Sequence, residues 1–331
     1  MDEITIYDIA KKAGVSAATV SRVINNYAHV KKETRAKVLK ILEESNYVPN
    51  ETARNLVNQS TKMVGILIAD IRTTHHTEGV YYVEQAFSKK GYTCLIYNTG
   101  FNPDQMASYI QLLSQKKIDA VIMMGSIYQN DSVKQAIETY IPSIPVAICN
   151  GYLDCSNVYG VVSDERKGVF DCVRLLSSKG RKRIALISYP LTPSNQEKVD
   201  GYKEGISAFS DNKPPIVEIT ESTMEAVTIA TEKVLNENPE VDAIIYSEDF
   251  PALVGIHCIS AMGRRIPEDI AIVGINNSRY SQVSVPSLTS LDNMLYDTSL
   301  TAVRNILQVL AGEHVSKKMI ICSRVVERSS T

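Results

Sequence analysis

The sequence predicts an all-α helix-turn-helix headpiece followed by an α/β core of two doubly wound lobes. Three observations predict it. The first 48 residues hold short amphipathic helices broken by a glycine; apolar runs alternating with helical segments begin after Lys62; and that alternation starts a second time near Val161. At 331 residues the chain is too long for one ordinary core, which suits a division into several domains.

In the headpiece, Thr5 to Asp8 ("TIYD") has capping-box form and opens a helix running to about Ala13. Gly14 breaks it. Ser16 caps a second helix, "SAATVSRVIN", in which Val20, Val23 and Ile24 form an apolar stripe and Ala17, Ala18, Ser21, Arg22 and Asn25 a small polar face. "ETRAKVLKILEESNY" supplies a third helix with Val38, Leu39, Ile41 and Leu42 inward, and helix, tight turn, helix is the helix-turn-helix arrangement. In the linker "VPNETARNLVNQSTK", Pro49 stops the chain, Asn50 can cap, and Glu51 to Val57 offers about two helical turns, too few to be stable alone.

In the core, "MVGILIAD", "YTCLIYN", "DAVIMMGS" and "IPVAICN" are nearly continuous apolar runs, the pattern of strands buried on both faces of a parallel sheet. "RIALIS", "DAIIYS" and "IAIVGIN" repeat it in the second series. Two such units facing each other place a ligand cleft at the carboxyl ends of their strands.

Composition narrows the function. With 44% hydrophobic and 22% charged residues the chain is globular; no apolar run nears the roughly 20 residues of a membrane span, and no signal region opens it, so a cytoplasmic protein without membrane contact is expected. The six cysteines form no C-x-x-C pair, which suits reduced thiols and argues against a disulfide framework or zinc site; no metal and no cofactor are expected. Net charge is −2, but Met1–Ser60 carries nine Lys or Arg against seven Asp or Glu and the remainder 26 against 30, so any nucleic-acid contact belongs to the amino-terminal segment. There is no G-x-G-x-x-G after a strand, no P-loop and no nucleophile elbow, hence no enzyme.

"TIYDIAKKAGVSAATVSRVINN", "YVPNETARNL", "GILIADI", "IPEDIAIVGINN" and "VVERSST" together resemble the LacI/GalR family of bacterial transcription regulators over the whole chain. The resemblance implies a headpiece over residues 1–48, a hinge helix and linker over 49–61, and a core similar to periplasmic sugar-binding proteins. Its amino-terminal lobe would comprise 62–161 and 292–323, and its carboxy-terminal lobe 162–291 and 324–331. It also implies a homodimer on a near-palindromic double-stranded operator, without the leucine heptad tail that tetramerises some relatives.

On that resemblance the helix from Ser16 to Asn25 is the recognition helix, with Ala17 and Ala18 toward base edges and Thr19, Ser21, Arg22 and Asn25 nearby; Thr5, Ser16, Asn50 and Arg54 complete the DNA-facing set. Arg22 can give two parallel hydrogen bonds to guanine and an alanine can contact a thymine methyl. Read from the sequence alone, Arg22 can equally neutralise phosphate or pair with a surface acid. Leu56, with Ala53 on the same side, matches the leucine that wedges into the minor groove.

The resemblance places the effector in the cleft, with departures. Lys198 stands where the family has arginine and Asn276 where it has aspartate; Asn150, Glu248, Asp249 and Asn293 end core strands or follow a crossover. Lysine replaces a planar fork with a point charge, and asparagine removes a charge while adding donors. A sugar phosphate or carboxylated sugar suits that change, and a neutral disaccharide remains open. In "DIRTTHHTEG", read as a loop, one of Arg72, His75 and His76 is expected at the cleft mouth; adjacent histidines point apart, so no metal site is read there. The expected function is a repressor of a carbohydrate-utilisation operon, controlled by a sugar or sugar phosphate. The alternative is a catabolite-control type regulator governed by a protein corepressor.

Overall fold

The computed structural model describes residues 4–24, 27, 29–45, 60–189, 192–209, 215–220 and 223–331. The expectations placed on Asn25, Asn50, Ala53, Arg54 and Leu56, and with them the hinge helix, lie outside these residues. The chain divides at Thr61/Lys62 into two compact units.

The smaller unit holds α1 (Ile6–Ala13), α2 (Ala17–Ile24) and α3 (Lys32–Glu44). The capping box is present: Asp8 donates its backbone N–H to Thr5 Oγ1 and Thr5 donates its own to Asp8 Oδ2 at 2.9 Å. Gly14 adopts φ 69°, a left-handed value that ends α1 at little steric cost. Ser16 Oγ accepts from the Thr19 N–H and caps α2. Ile9, Ala10, Ala13, Val20, Val23 and Val38 form the core of the unit. Leu39, expected inward, is 49% exposed, because it sits about 100° around the helix from Val38 while Ile41 and Leu42 return to that face.

The larger unit contains two six-stranded sheets. The first runs β11 (Lys318–Ile321), β5 (Val158–Ser163), β4 (Val146–Cys149), β3 (Ala120–Met124), β1 (Met63–Ile68), β2 (Thr93–Asn98), all parallel. The second runs β12 (Arg324–Val326), β10 (Thr289–Asp292), β9 (Ala271–Ile275), β8 (Ala243–Tyr246), β6 (Ile184–Ser188), β7 (Ile216–Glu218), parallel except for β12. Apolar cores cover both faces of each sheet. β2 departs from the expected burial on both faces: it is an edge strand with Ile96 exposed.

The chain crosses between the sheets three times, after Ser163, after Asp292 and between Ile321 and Arg324, so the first crossing falls two residues later than the expected change at 161/162. The crossings are tied together. Ser163 Oγ donates to the Asn293 carbonyl at 2.6 Å, Ser323 Oγ to the Asp164 carbonyl at 2.6 Å, and the Asp164 N–H to the Ile321 carbonyl at 2.9 Å.

Candidate functional site

In each sheet the strand order reverses direction beside its first strand, between β1 and β3 in one and between β6 and β8 in the other, and ligands of open α/β sheets bind at the carboxyl ends of such strands. The segments leaving these strands carry the polar residues of the cleft. After β1 the chain turns at once into a helix, Thr74–Ser88, which corrects the loop expected for His75 and His76: both lie in its first turn. The His76 ring lies against Gly125, just past β3, where φ is 106° and a Cβ would come 3.0 Å from Nε2. Burial, followed by the Lys198 charge, holds His76 down at about 4, and burial, His76 and Lys198 hold His75 well below the ordinary imidazole value.

The second lobe brings two helices unusually close. On Pro193–Phe209, residues Lys198, Gly201, Tyr202 and Gly205 share one buried face. A Cβ at Gly201 would lie 2.1 Å from the Arg166 carbonyl oxygen, and one at Gly205 would lie 2.7 Å from Val173 Cβ, so only glycine allows this helix to meet Glu165–Ser178. That approach joins Lys198 to Glu165. The amine lies 3.4 Å from Glu165 Oε1, with both side chains buried, and donates at 3.5 Å to Asn195 Oδ1 and to the Ser247 carbonyl just past β8.

Glu165 gathers the remaining groups. Its Oε1 accepts from Asn293 Nδ2 at 3.0 Å and its Oε2 from Asn150 Nδ2 at 3.2 Å, the latter reaching across from the first lobe. Asn293 also donates to Asn276 Oδ1 at 3.1 Å. Asn150 and Asn276 have φ of 58° and 103°, positive values that asparagine tolerates better than most side chains. Glu248 belongs to the same field: burial raises its carboxyl pKa and Lys198 opposes the rise.

Two expected residues do not join the cluster. Arg72, with its side chain 87% exposed, is turned onto Asp70 at 2.7 Å because the carboxylate two residues earlier offers a bidentate partner. The Asp249 carboxylate is spent inside its own lobe, accepting from the Ser278 N–H at 2.6 Å and from Ser290 Oγ at 2.5 Å; burial pushes it up to about 6 against the lowering effect of those bonds. Glu165 is the residue missed by sequence reading. An acid in the first turn of a helix reads as an ordinary match to the helix dipole, and nothing local reveals that it is buried.

The lobes touch at the cleft, with the Ser194 N–H donating to Ser126 Oγ at 3.1 Å and Thr74 Oγ1 lying 3.3 Å from the Tyr280 hydroxyl. His76 Nδ1, Ser247 Oγ and Asn293 Oδ1 are buried without a hydrogen-bond partner among the described residues. Buried polar atoms are rarely left so, and three around one cleft mark a place where a polar ligand would be satisfied. Two surface concavities, about 400 Å³ beside Arg166 and Phe170 and about 390 Å³ beside Thr99 and Tyr109, lie away from these atoms.

In the smaller unit, α2 buries Val20 and Val23 and turns Ala18 and Arg22 outward, with Ala17, Thr19 and Ser21 partly exposed. Arg22 makes no ion pair among the described residues. Thr5 and Ser16 are committed to capping α1 and α2. Tyr7, passed over in the sequence, is 74% exposed in the first turn of α1. No helix among the described residues is long and apolar enough to cross a membrane.

Comparisons with known proteins cover both units. A family model described as "Bacterial regulatory proteins, lacI family" matches residues 5–50, and one described as "Periplasmic binding proteins and sugar binding domain of LacI family" matches residues 61–328. An HTH-type transcriptional regulator of Lachnoclostridium phytofermentans is 33% identical over 334 residues, covering 98% of this chain and 99% of that protein. Catabolite control protein A of Priestia megaterium is 32% identical over 333 residues, covering 99% of each. The crystal structure of the Lac repressor dimer bound to operator and the anti-inducer ONPF has the same fold, with a TM-score of 0.89 at 23% identity over 99% of each chain.

Proposed function

The chain belongs to the LacI family of bacterial regulatory proteins, and from that premise we propose that it is a repressor whose hold on operator DNA is set by a sugar or sugar phosphate bound between its two core lobes. It is a DNA-binding transcriptional regulator with an effector-binding core, and its family is not one of enzymes.

The observation that carries the effector reading is the cluster of Lys198, Glu165, Asn150, Asn276 and Asn293 at the meeting of the two switch points, with three unpartnered polar atoms beside it. Asn150 and Glu165 belong to opposite lobes, so a ligand that competes for their hydrogen bond changes how the lobes close. Closure turns on the three crossings tied at Ser163, Asn293 and Ser323. In a homodimer, such movement would alter the spacing of the two linkers, and with it the fit of the two headpieces to half-sites about one helical turn apart. Ala17, Ala18 and Arg22 would read base edges, and Leu56 would wedge the operator centre. A coupling of about 1–3 kcal/mol, the usual allosteric range, changes operator affinity by roughly 5- to 150-fold.

The test is a thermal-shift screen of the full chain against sugars and sugar phosphates, followed by operator binding with each compound that stabilises it. A stabilising sugar that changes operator affinity supports the proposal. A screen in which none stabilises it favours the protein-corepressor alternative.

A further inference from the structure

We propose that Glu165 sets the charge class of the effector, admitting an uncharged, hydroxyl-rich ligand and refusing a phosphorylated or carboxylated one. This rests on the reading of the cleft as the effector site. A lysine in a cleft invites an anion, but here the amine already lies 3.4 Å from Glu165 Oε1, with 6% and 3% of the two side chains exposed. An incoming anion must either share Lys198 with that carboxylate at close range or displace it. Displacement also breaks the bonds from Asn150 and Asn293 and leaves Glu165 a buried charge without a partner.

Among the described residues, the histidines and Arg72 do not supply the missing positive charge, and Arg324 and Arg328 are already held by Asp292 and Asn277. Burial and the Lys198 charge keep His75 and His76 neutral at neutral pH, and Glu248 adds a second acid to the field. Arg72 is turned onto Asp70. The unspent hydrogen-bonding capacity points the same way: Ser247 Oγ and His76 Nδ1 are uncharged, and Asn293 Oδ1 accepts only. A sugar hydroxyl both donates and accepts and can satisfy each of the three, whereas a phosphate dianion has no proton for Asn293 Oδ1.

The experiment measures binding of matched pairs to the full chain by calorimetry: glucose and glucose-6-phosphate, ribose and ribose-5-phosphate, galactose and galacturonate, each in wild type, Glu165→Gln and Lys198→Met. The expected result is that a neutral member binds wild type at least about tenfold tighter than its anionic partner, about 1.4 kcal/mol. Glu165→Gln should close or invert that gap, and Lys198→Met, which removes the cleft's cation and keeps the carboxylate, should widen it. The wild-type pairs stand by themselves if the glutamine variant does not fold. An anionic member binding wild type as tightly as its neutral partner overturns the role of Glu165, as does a gap unchanged in Glu165→Gln, while the cleft remains the effector site. If no member of either series binds, the effector reading of the cleft falls, and this inference with it.

Discussion

Replacing Lys198 by methionine keeps much of the chain length and apolar volume while removing the charge. What remains is Glu165, 3% exposed, with its carboxylate still receiving the amide groups of Asn150 at 3.2 Å and Asn293 at 3.0 Å. Removing one partner of a buried pair typically costs about 3–5 kcal/mol; the contact of 3.4 Å and the two retained donors place this case near about 3 kcal/mol. Glu165→Gln should cost a similar amount by stranding the amine. Because the cost is that of an unpaired charge, Glu165→Gln with Lys198→Met should return to within about 1 kcal/mol of wild type, a coupling of about 5 kcal/mol. Urea unfolding followed by circular dichroism and tyrosine fluorescence reads this, since the chain has 17 tyrosines and no tryptophan. The transition to fit is that of the larger unit, Lys62–Thr331. A Lys198→Met variant within about 1 kcal/mol of wild type, or a double variant that costs the sum of the singles, would refute the pairing as an energetic unit.

Gly201→Ala should destabilise the larger unit by about 1–3 kcal/mol and weaken effector binding, because a Cβ 2.1 Å from the Arg166 carbonyl forces the two helices apart and separates Lys198 from Glu165; unfolding and calorimetry unchanged from wild type would contradict this. Arg22→Ala should relax operator preference at one base pair per half-site, whereas Lys11→Ala should weaken all sequences alike and flatten the salt dependence; equal loss on operator and random DNA for Arg22→Ala removes its base-reading role. For pH, His76 is held at about 4 in the fold against an ordinary 6.5, so the unfolded chain takes up the proton first and stability from this group, complete above about 6.5, is lost as pH falls toward 4. Asp249, raised to about 6 from 3.8, works in the opposite sense, gaining stability as pH falls through that window. His76→Gln isolates the first effect: relative to it, wild type should lose about 1–2 kcal/mol between pH 7 and pH 5, and no relative change would contradict the burial of that ring.

The fold was largely legible because its signals are local. Thr5 with Asp8, Gly14 and Ser16 announce helix ends through chemistry within three or four residues, and the apolar runs around Ile66, Ile122 and Ile148 announce buried strands. Failures occurred where the answer depends on distant chain. Ile96 is as apolar as its neighbours in sequence, yet its strand lies at the sheet edge. The segment at His75 lacks a strong cap, and its helix is fixed by packing against the sheet. Lys198, Asn276 and Asn293 were found by resemblance, but the carboxylate that unites them was not, because Glu165 becomes buried only when Gly201 and Gly205 bring a second helix onto its own. The same geometry turns an apparent anion site into a balanced pair, which no reading of Lys198 in isolation reveals.

The central claim is that cleft occupancy and operator binding are coupled, and thermodynamic reciprocity tests it most directly. In one buffer, operator affinity is measured with and without the effector, and effector affinity with and without operator. The account predicts equal factors, within roughly 5- to 150-fold, and a factor of one for Lys198→Met with its effector-free operator affinity retained. A Lys198→Met protein that keeps the wild-type factor, or a wild-type protein whose bound effector leaves operator affinity unchanged, would contradict it.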